Sequence, residues 1–294
     1  MYTIPDPDYI KNIMRITGMP EDAISEVSDA YENLIARPDF AEAAREAVRA
    51  TIADESSRDM LWDYAGKVGI RPRLLLLIIC YICTPVTEKL FAEQGLSREI
   101  YLDSLSDITV WAKVAKKEWD GWGMQEYGWI QRTLRGKLYK FGRMQFELEE
   151  FDQDEYVNEK LGVYLKRGDT VINCHIPEGD SLTLEKRLDS YKRAEEFFKS
   201  ELFVMESYLL YLPLRNYLPE GSNLLLFMDD YEIIASWDDP GMGDMWRIFG
   251  MHSDYTRGMP QDTRLQRAFS KMIAEQGATG KGYGVRIGAV RKNI

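Results

Sequence analysis

The apolar residues of this chain change period near Gly136. Before that point they recur at the spacing of one helix face; after it they alternate, the spacing of one strand face. A segment patterned for one period does not settle into the other, so an all-helical region must precede a region that mixes strands and helices. In the first region, residues 20–35 open on Glu21 and Asp22 and align Ile24, Val27, Tyr31, Leu34 and Ile35 on one face. Pro38 and Asp39 open another helix. Stretches 58–68, 72–84 and 97–118 continue the pattern, stopped by Gly69 and Gly95 and punctuated by Pro72 and Pro85. The turn-rich Trp119-Asp120-Gly121-Trp122-Gly123 is the expected boundary, giving domains 1–125 and 126–294.

Past Gly136, strands are expected at 137–141 and 144–148, with Gly142 between them as a bulge or close approach. Further strands are expected at 170–176, 202–206, 224–228, 245–251 and 283–290. Helices are expected at 183–198, with Thr183 as cap, at a short Pro213-interrupted 209–218, and at 262–276. The glycines of Gly277-Ala278-Thr279-Gly280-Lys281-Gly282-Tyr283-Gly284 follow a helix and lack the order of a phosphate-binding P-loop. They read as a helix stop and a hairpin-like turn.

The net charge of −11 disfavours nucleic acid and anionic membrane surfaces as partners, since both require a cationic footprint. The charge is uneven. Residues 257–294 carry eight Lys/Arg against two acids, so this segment is +6 and the rest of the chain −17. Such an island suits a small anionic ligand or a solvated helix face. The start, Met1-Tyr2-Thr3-Ile4-Pro5-Asp6, has no basic opening or apolar run, and three cysteines suit free thiols; a cytoplasmic protein is expected. The apolar run 74–83 fits a buried helix. Cys80 and Cys83 lie inside it, without the electropositive, exposed setting that activates a thiol.

Val171-Ile172-Asn173-Cys174-His175 reads as a strand that stops at Pro177 and Gly179. In open α/β sheets ligands collect beyond the carboxyl ends of strands, so His175 is a candidate base or orienting group, or else a hydrogen-bonded structural residue. Strand 170–176, helix 183–198 and strand 202–206 should form a parallel unit. That unit would bring His175 beside Glu206, Ser207 and Tyr208. Ser207 lacks a Gly-x-Ser-x-Gly elbow, which disfavours a Ser-His-Asp hydrolase. His252 lies far from His175 in sequence, and no His pair has metal-ligand spacing. Tyr139 and Arg143 share a strand face if Gly142 makes no bulge. Arg143 is then either paired with a carboxylate or bound to substrate. In 257–263, Arg257, Arg264, Arg267 and the amides near Thr263 offer an anion site at a helix N-terminus, unless Asp262 or Thr263 caps the helix.

Several segments together carry a resemblance. Leu138-Tyr139-Lys140-Phe141-Gly142-Arg143-Met144-Gln145-Phe146 resembles a Leu-Tyr-Arg-Leu-Gly-Arg-Leu-Gln-Phe motif. His175-Ile176-Pro177-Glu178-Gly179 resembles a His-Ile-Pro-x-Gly motif, followed by Ser190-Tyr191-x-x-Ala194. Glu206-Ser207-Tyr208-Leu209-Leu210 resembles a His-Ser-Trp-Leu-Leu segment; Leu218-Pro219-x-x-Ser222-Asn223 and Thr263-Arg264-Leu265-Gln266-Arg267-Ala268 complete the set. Over essentially its whole length the chain resembles bacterial acyltransferase-domain proteins, with a helical N-acyltransferase N-terminal domain and a GNAT-like mixed-sheet α/β C-terminal domain. The resemblance implies transfer of an acyl group from acyl-CoA or acetyl-CoA to a small-molecule amine, with no metal. It implies His175, Ser207 and Tyr208 as catalytic candidates and Arg257, Thr263, Arg264 and Arg267 as CoA contacts. Tyr139, Arg143, Glu178 and Glu206 are the candidate substrate contacts. The chain departs from the pattern at Glu206 and Tyr208, and 257–263 has one glycine where GNAT enzymes carry a Gln/Arg-x-x-Gly-x-Gly/Ala loop. The alternative is a GNAT-like binding or assembly module without chemistry.

Overall fold

The computed structural model describes residues 2–119, 121–250 and 258–288. His252 and Arg257 lie outside them. The chain forms two compact units, Met1–Lys140 and Phe141–Ile294.

The first unit is helical: α1 (Pro7–Ile16), α2 (Glu21–Ile35), α3 (Phe40–Ile52), α4 (Arg58–Val68), α5 (Pro72–Glu93), α6 (Arg98–Trp119) and α7 (Tyr127–Leu134). Helix α5 is the centre. It is buried on every side from Leu74 to Thr84, as expected of a helix that is apolar all round, and each of the other helices packs on it. It continues through Pro85, beyond the 72–84 stretch read from the sequence. Proline has no N–H for the carbonyl four residues back, but the Thr84 hydroxyl donates to that Tyr81 carbonyl at 2.7 Å. Helix α7 belongs to this unit too: the Thr87 hydroxyl donates to the Leu134 carbonyl at 2.6 Å, and Gln131 Nε2 to Thr51 Oγ1 at 3.1 Å. The units therefore divide beyond residue 125, at 140/141.

The strands are β1 (Tyr139–Phe141), β2 (Met144–Glu150), β3 (Glu155–Asn158), β4 (Val163–Lys166), β5 (Thr170–His175), β6 (Leu202–Ser207), β7 (Glu232–Asp239) and β8 (Thr279–Ile287). Among the described residues they form a mixed sheet in the order β1-β2-β5-β6-β8-β7 and a separate β3-β4 ribbon. Helix α8 (Leu184–Phe198), capped by Thr183, crosses from β5 to β6 and makes them parallel. It covers one sheet face, where Tyr191 meets Phe146 and Phe203 edge-on at 6.2 and 5.3 Å. The ribbon's Tyr156, Val163 and Leu165 join Val171, Val204, Tyr283, Val285 and Ile287 in a second apolar layer.

Some expected elements differ. Gly142 and Arg143 form a two-residue hairpin turn with Gly142 at φ +63°, not a bulge in one strand, so Arg143 does not share a strand face with Tyr139. Segment 224–228 is helix α9 (Asn223–Met228): Ser222 accepts a hydrogen bond from the Leu225 amide at 3.3 Å, and this cap decides a run that reads apolar either way. Trp246–Phe249 is a short helix, α10. The expected helix at 262–276 begins two residues later, as α11 (Arg264–Gln276). Gly277 does stop it, with φ +69°, but the glycines after it lie within β8 and not in a turn.

Candidate active site

The parallel ladder between β5 and β6 is short. It pairs Ile172 with Phe203 and Asn173 with Val204; beyond these the two strands no longer pair with each other, each keeping only its outer neighbour. Continuing that register sets His175 across from Glu206 at the carboxyl ends. The facing backbone groups of the two tips are left for other partners, and buried backbone groups seek such partners.

On the far side of β5, strand β2 pairs Gln145 with His175, Glu147 with Asn173 and Glu149 with Val171. Opposed residues point to the same face, so Gln145, Glu147, Glu149, Asn173 and His175 form one polar stripe. Glu147 is buried, and its Oε1 lies 2.6 Å from His175 Nε2, whose side chain is 22% exposed. Asn173 Nδ2 donates to Glu149 Oε2 at 2.8 Å and lies 3.4 Å from His175 Nε2. A buried carboxylate against an imidazole fixes the ring's orientation and balances its charge when it takes a proton, the arrangement a general base requires. Glu147, Gln145 and Asn173 were not singled out from sequence.

At the end of β6 the candidates separate. Glu206 is exposed and on the His175 face, where its Oε1 lies 3.2 Å from Lys281 Nζ; the same ammonium lies 3.1 Å from Asp244 Oδ2. Asp244 also pairs with Arg247. Burial works against the charge of Lys281, but Asp244 and Glu206 outweigh it and hold its pKa above the ordinary lysine value. Glu206 is thus engaged in an ion-pair chain. Ser207 alternates to the opposite face, and its Oγ accepts the Leu209 amide at 3.1 Å; it does not join His175. Tyr208 is half-buried, with its ring edge-on to Phe269 at 5.9 Å. Burial pushes its phenol up to about 12, with Arg247 lowering and Asp244 raising it. It keeps its proton at neutral pH.

The remaining candidates are largely structural. Tyr139 is buried, and its hydroxyl donates to Gln94 Oε1 at 2.7 Å and to the Gly136 carbonyl. Arg143 donates to the carbonyls of Asp180 and Pro177 at 2.6 and 2.7 Å, while its amide donates to Ser190 Oγ at 2.9 Å. It clamps the loop that follows His175, and the charge of Asp180 on that loop acts on its guanidinium. Glu178 stands exposed on that loop. Thr263 forms a capping box: its Oγ1 accepts the Gln266 amide at 3.1 Å, and its own amide donates to Gln266 Oε1 at 3.0 Å. Arg267 is spent on the carbonyls of Gln261 and Asp262 at 2.6 and 3.0 Å. The expected anion site is therefore reduced to the first amides of α11 and the exposed Arg264. Among the described residues, no group of three His, Cys, Asp or Glu side chains could hold a metal.

Residues 8–136 match the N-acyltransferase N-terminal domain, and residues 138–286 the GNAT-like C-terminal domain. Among solved structures the fold is similar to a mutant acyltransferase in complex with octanoyl-CoA (TM-score 0.77, 20% identity, covering 98% of this chain and 90% of that one). It is similar also to an acyltransferase in complex with decanoyl-CoA and teicoplanin (TM-score 0.76, 20% identity, 97% and 90%). No curated protein matches.

Proposed function

Because the chain belongs to the family that joins an N-acyltransferase N-terminal domain to a GNAT-like C-terminal domain, we propose that it transfers an acyl group from an acyl-CoA thioester to a small-molecule amine. The observation that carries this reading is the buried Glu147–His175 pair at the splayed tips of β5 and β6. The facing sides of β5 and β6 past their short ladder suit an extended, amide-bearing arm such as that of CoA, whose amides can pair with backbone groups as a strand would. The amine nitrogen attacks the thioester carbonyl carbon and gives up its proton to His175, held by Glu147. The C–S bond then breaks, the leaving thiolate takes a proton from the Tyr208 phenol, and the imidazolium gives up its proton and the phenolate regains one through solvent, restoring both groups. An amide and a CoA thiol result.

The similar structure that holds decanoyl-CoA together with teicoplanin supports a small-molecule acceptor. The three free cysteines, all buried, accord with a cytoplasmic setting. The capped N-terminus of α11 favours the second reading, a GNAT-like module that binds without chemistry.

Thiol release from octanoyl-CoA and decanoyl-CoA in the presence of simple amines tests the proposal. His175→Ala should lower it by about 10²-fold or more while the melting temperature stays near that of the parent. If millimolar acyl-CoA neither shifts the melt nor yields thiol, the enzyme reading falls and the binding module stands.

A further inference from the structure

Gln145 is 1% exposed, yet its Nε2 has no hydrogen-bond partner among the described residues. A buried amide donor left unpaired destabilises a fold, and native proteins keep few of them. This one has a telling position. It stands directly opposite His175 in the β2–β5 ladder, two residues before Glu147 on the same face. The stripe around it is rich in acceptors, Glu147 and Glu149, and the other amide on it, Asn173, is already committed to Glu149. Gln145 therefore supplies a donor beside the imidazole that no described residue uses.

We propose that Gln145 donates a hydrogen bond from its side-chain amide to a substrate oxygen next to His175. Resting on the acyl-transfer reading, this makes Gln145 a catalytic residue of that reaction. The oxygen comes from one of two sources. One is the thioester carbonyl, which gains negative charge as the amine attacks and is then best served by a pre-placed donor. The other is a hydroxyl or carbonyl oxygen adjacent to the acceptor's amine, which would make oxygen-bearing amines the preferred acceptors.

Gln145→Met, similar in length and without polar hydrogen, separates these roles in the full chain. The variant should melt at or above the parent temperature, since an unpaired donor is removed. Transfer of the octanoyl group from octanoyl-CoA should fall by at least about tenfold, in line with the loss of one pre-placed donor. If the source is the thioester, the carbonyl stretch of carbonyl-¹³C octanoyl-CoA lies lower when bound to the parent than to the variant, and 2-aminoethanol and ethylamine suffer alike. If the source is the acceptor, the stretch is unchanged and the loss is confined to 2-aminoethanol. A variant that melts several degrees lower, losing activity only with its folded fraction, overturns the proposal. So does turnover within about twofold of the parent, too small a change for a lost transition-state contact. A parent that turns over no acyl-CoA refutes the acyl-transfer reading. In that case a raised melting temperature in the variant still identifies an unused donor, and a lowered one removes it.

Discussion

His175 is held by a residue twenty-eight positions earlier in the chain, Glu147, and that pairing gives the first prediction. Glu147→Gln keeps the shape but replaces the carboxylate by an amide, which does not balance a protonated ring. Thiol release should fall by at least about tenfold with the far-ultraviolet spectrum unchanged, since mis-oriented or uncompensated catalytic histidines lose that much or more. Equal turnover would make the pair structural. Tyr208 gives a second. Its pKa, pushed up to about 12, lies above the ordinary tyrosine value, so the folded state holds the proton more tightly. That contribution to stability is fully present below pH about 10 and is lost as pH rises through the folded value. Tyr208→Phe should flatten the parent's loss of stability above pH 10 and lower turnover by a similar factor from pH 7 to 9, where the phenol stays protonated. Chemical denaturation across that range, with initial rates, checks both. His175 was legible because Pro177 and Gly179 mark the strand's end. Gln145 and Glu147 were not, because polar residues alternating along a strand look like a solvated face, and only the fold shows that this face is buried.

The elements that resisted sequence reading are those in which tertiary contact overrides local preference. Glycines weaken strands, so residues 279–284 read as a turn, but β8 uses them for close approach. A Cβ at Gly282 would lie 2.1 Å from the Leu210 carbonyl oxygen, and one at Gly284 would lie 2.8 Å from Tyr231 Cβ. Alternate glycines thus let the short turn Tyr208–Leu210 lie against β8, which positions Tyr208. Gly282→Ala should cost about 1–3 kcal/mol in urea unfolding, the usual penalty of overpacking, and should impair turnover beyond that of the folded fraction. A variant as stable and active as the parent would show that the turn moves freely. Strands β3 and β4 were missed because four residues are too few to establish a period, and β7 because its burial does not alternate. Helix α8 was readable from its Thr183 cap and α11 from its apolar face, with Asp262 and Thr263 both open as caps until the structure chose Thr263.

For the molecule as a whole, the change of period near Gly136 announced two units, and no local signal announced that α7 would complete the first. The charge distribution is the other property of this scale. A chain of net charge −11 repels a polyanion such as CoA at long range, so binding requires local positive charge, and 257–294 is +6. Among the described residues of that segment, Arg267 is occupied by carbonyls and Lys281 by carboxylates, whereas Arg264 is exposed at the first turn of α11, next to amides that the Thr263 cap does not reach. If the CoA phosphates lie there, Arg264→Glu should weaken octanoyl-CoA binding by at least about tenfold, because a charge-assisted contact is worth about 1.5–3 kcal/mol. The difference between variant and parent should shrink as salt shortens the screening length from about 10 Å at 0.1 M to about 3 Å at 1 M. Calorimetric titration at both salt concentrations reads this directly. Unchanged affinity would move the phosphates away from α11, to the loop after His175 at the N-terminus of α8. In that loop Arg143 fixes the backbone, so Arg143→Ala, and not Arg264→Glu, would then be the substitution that loosens binding.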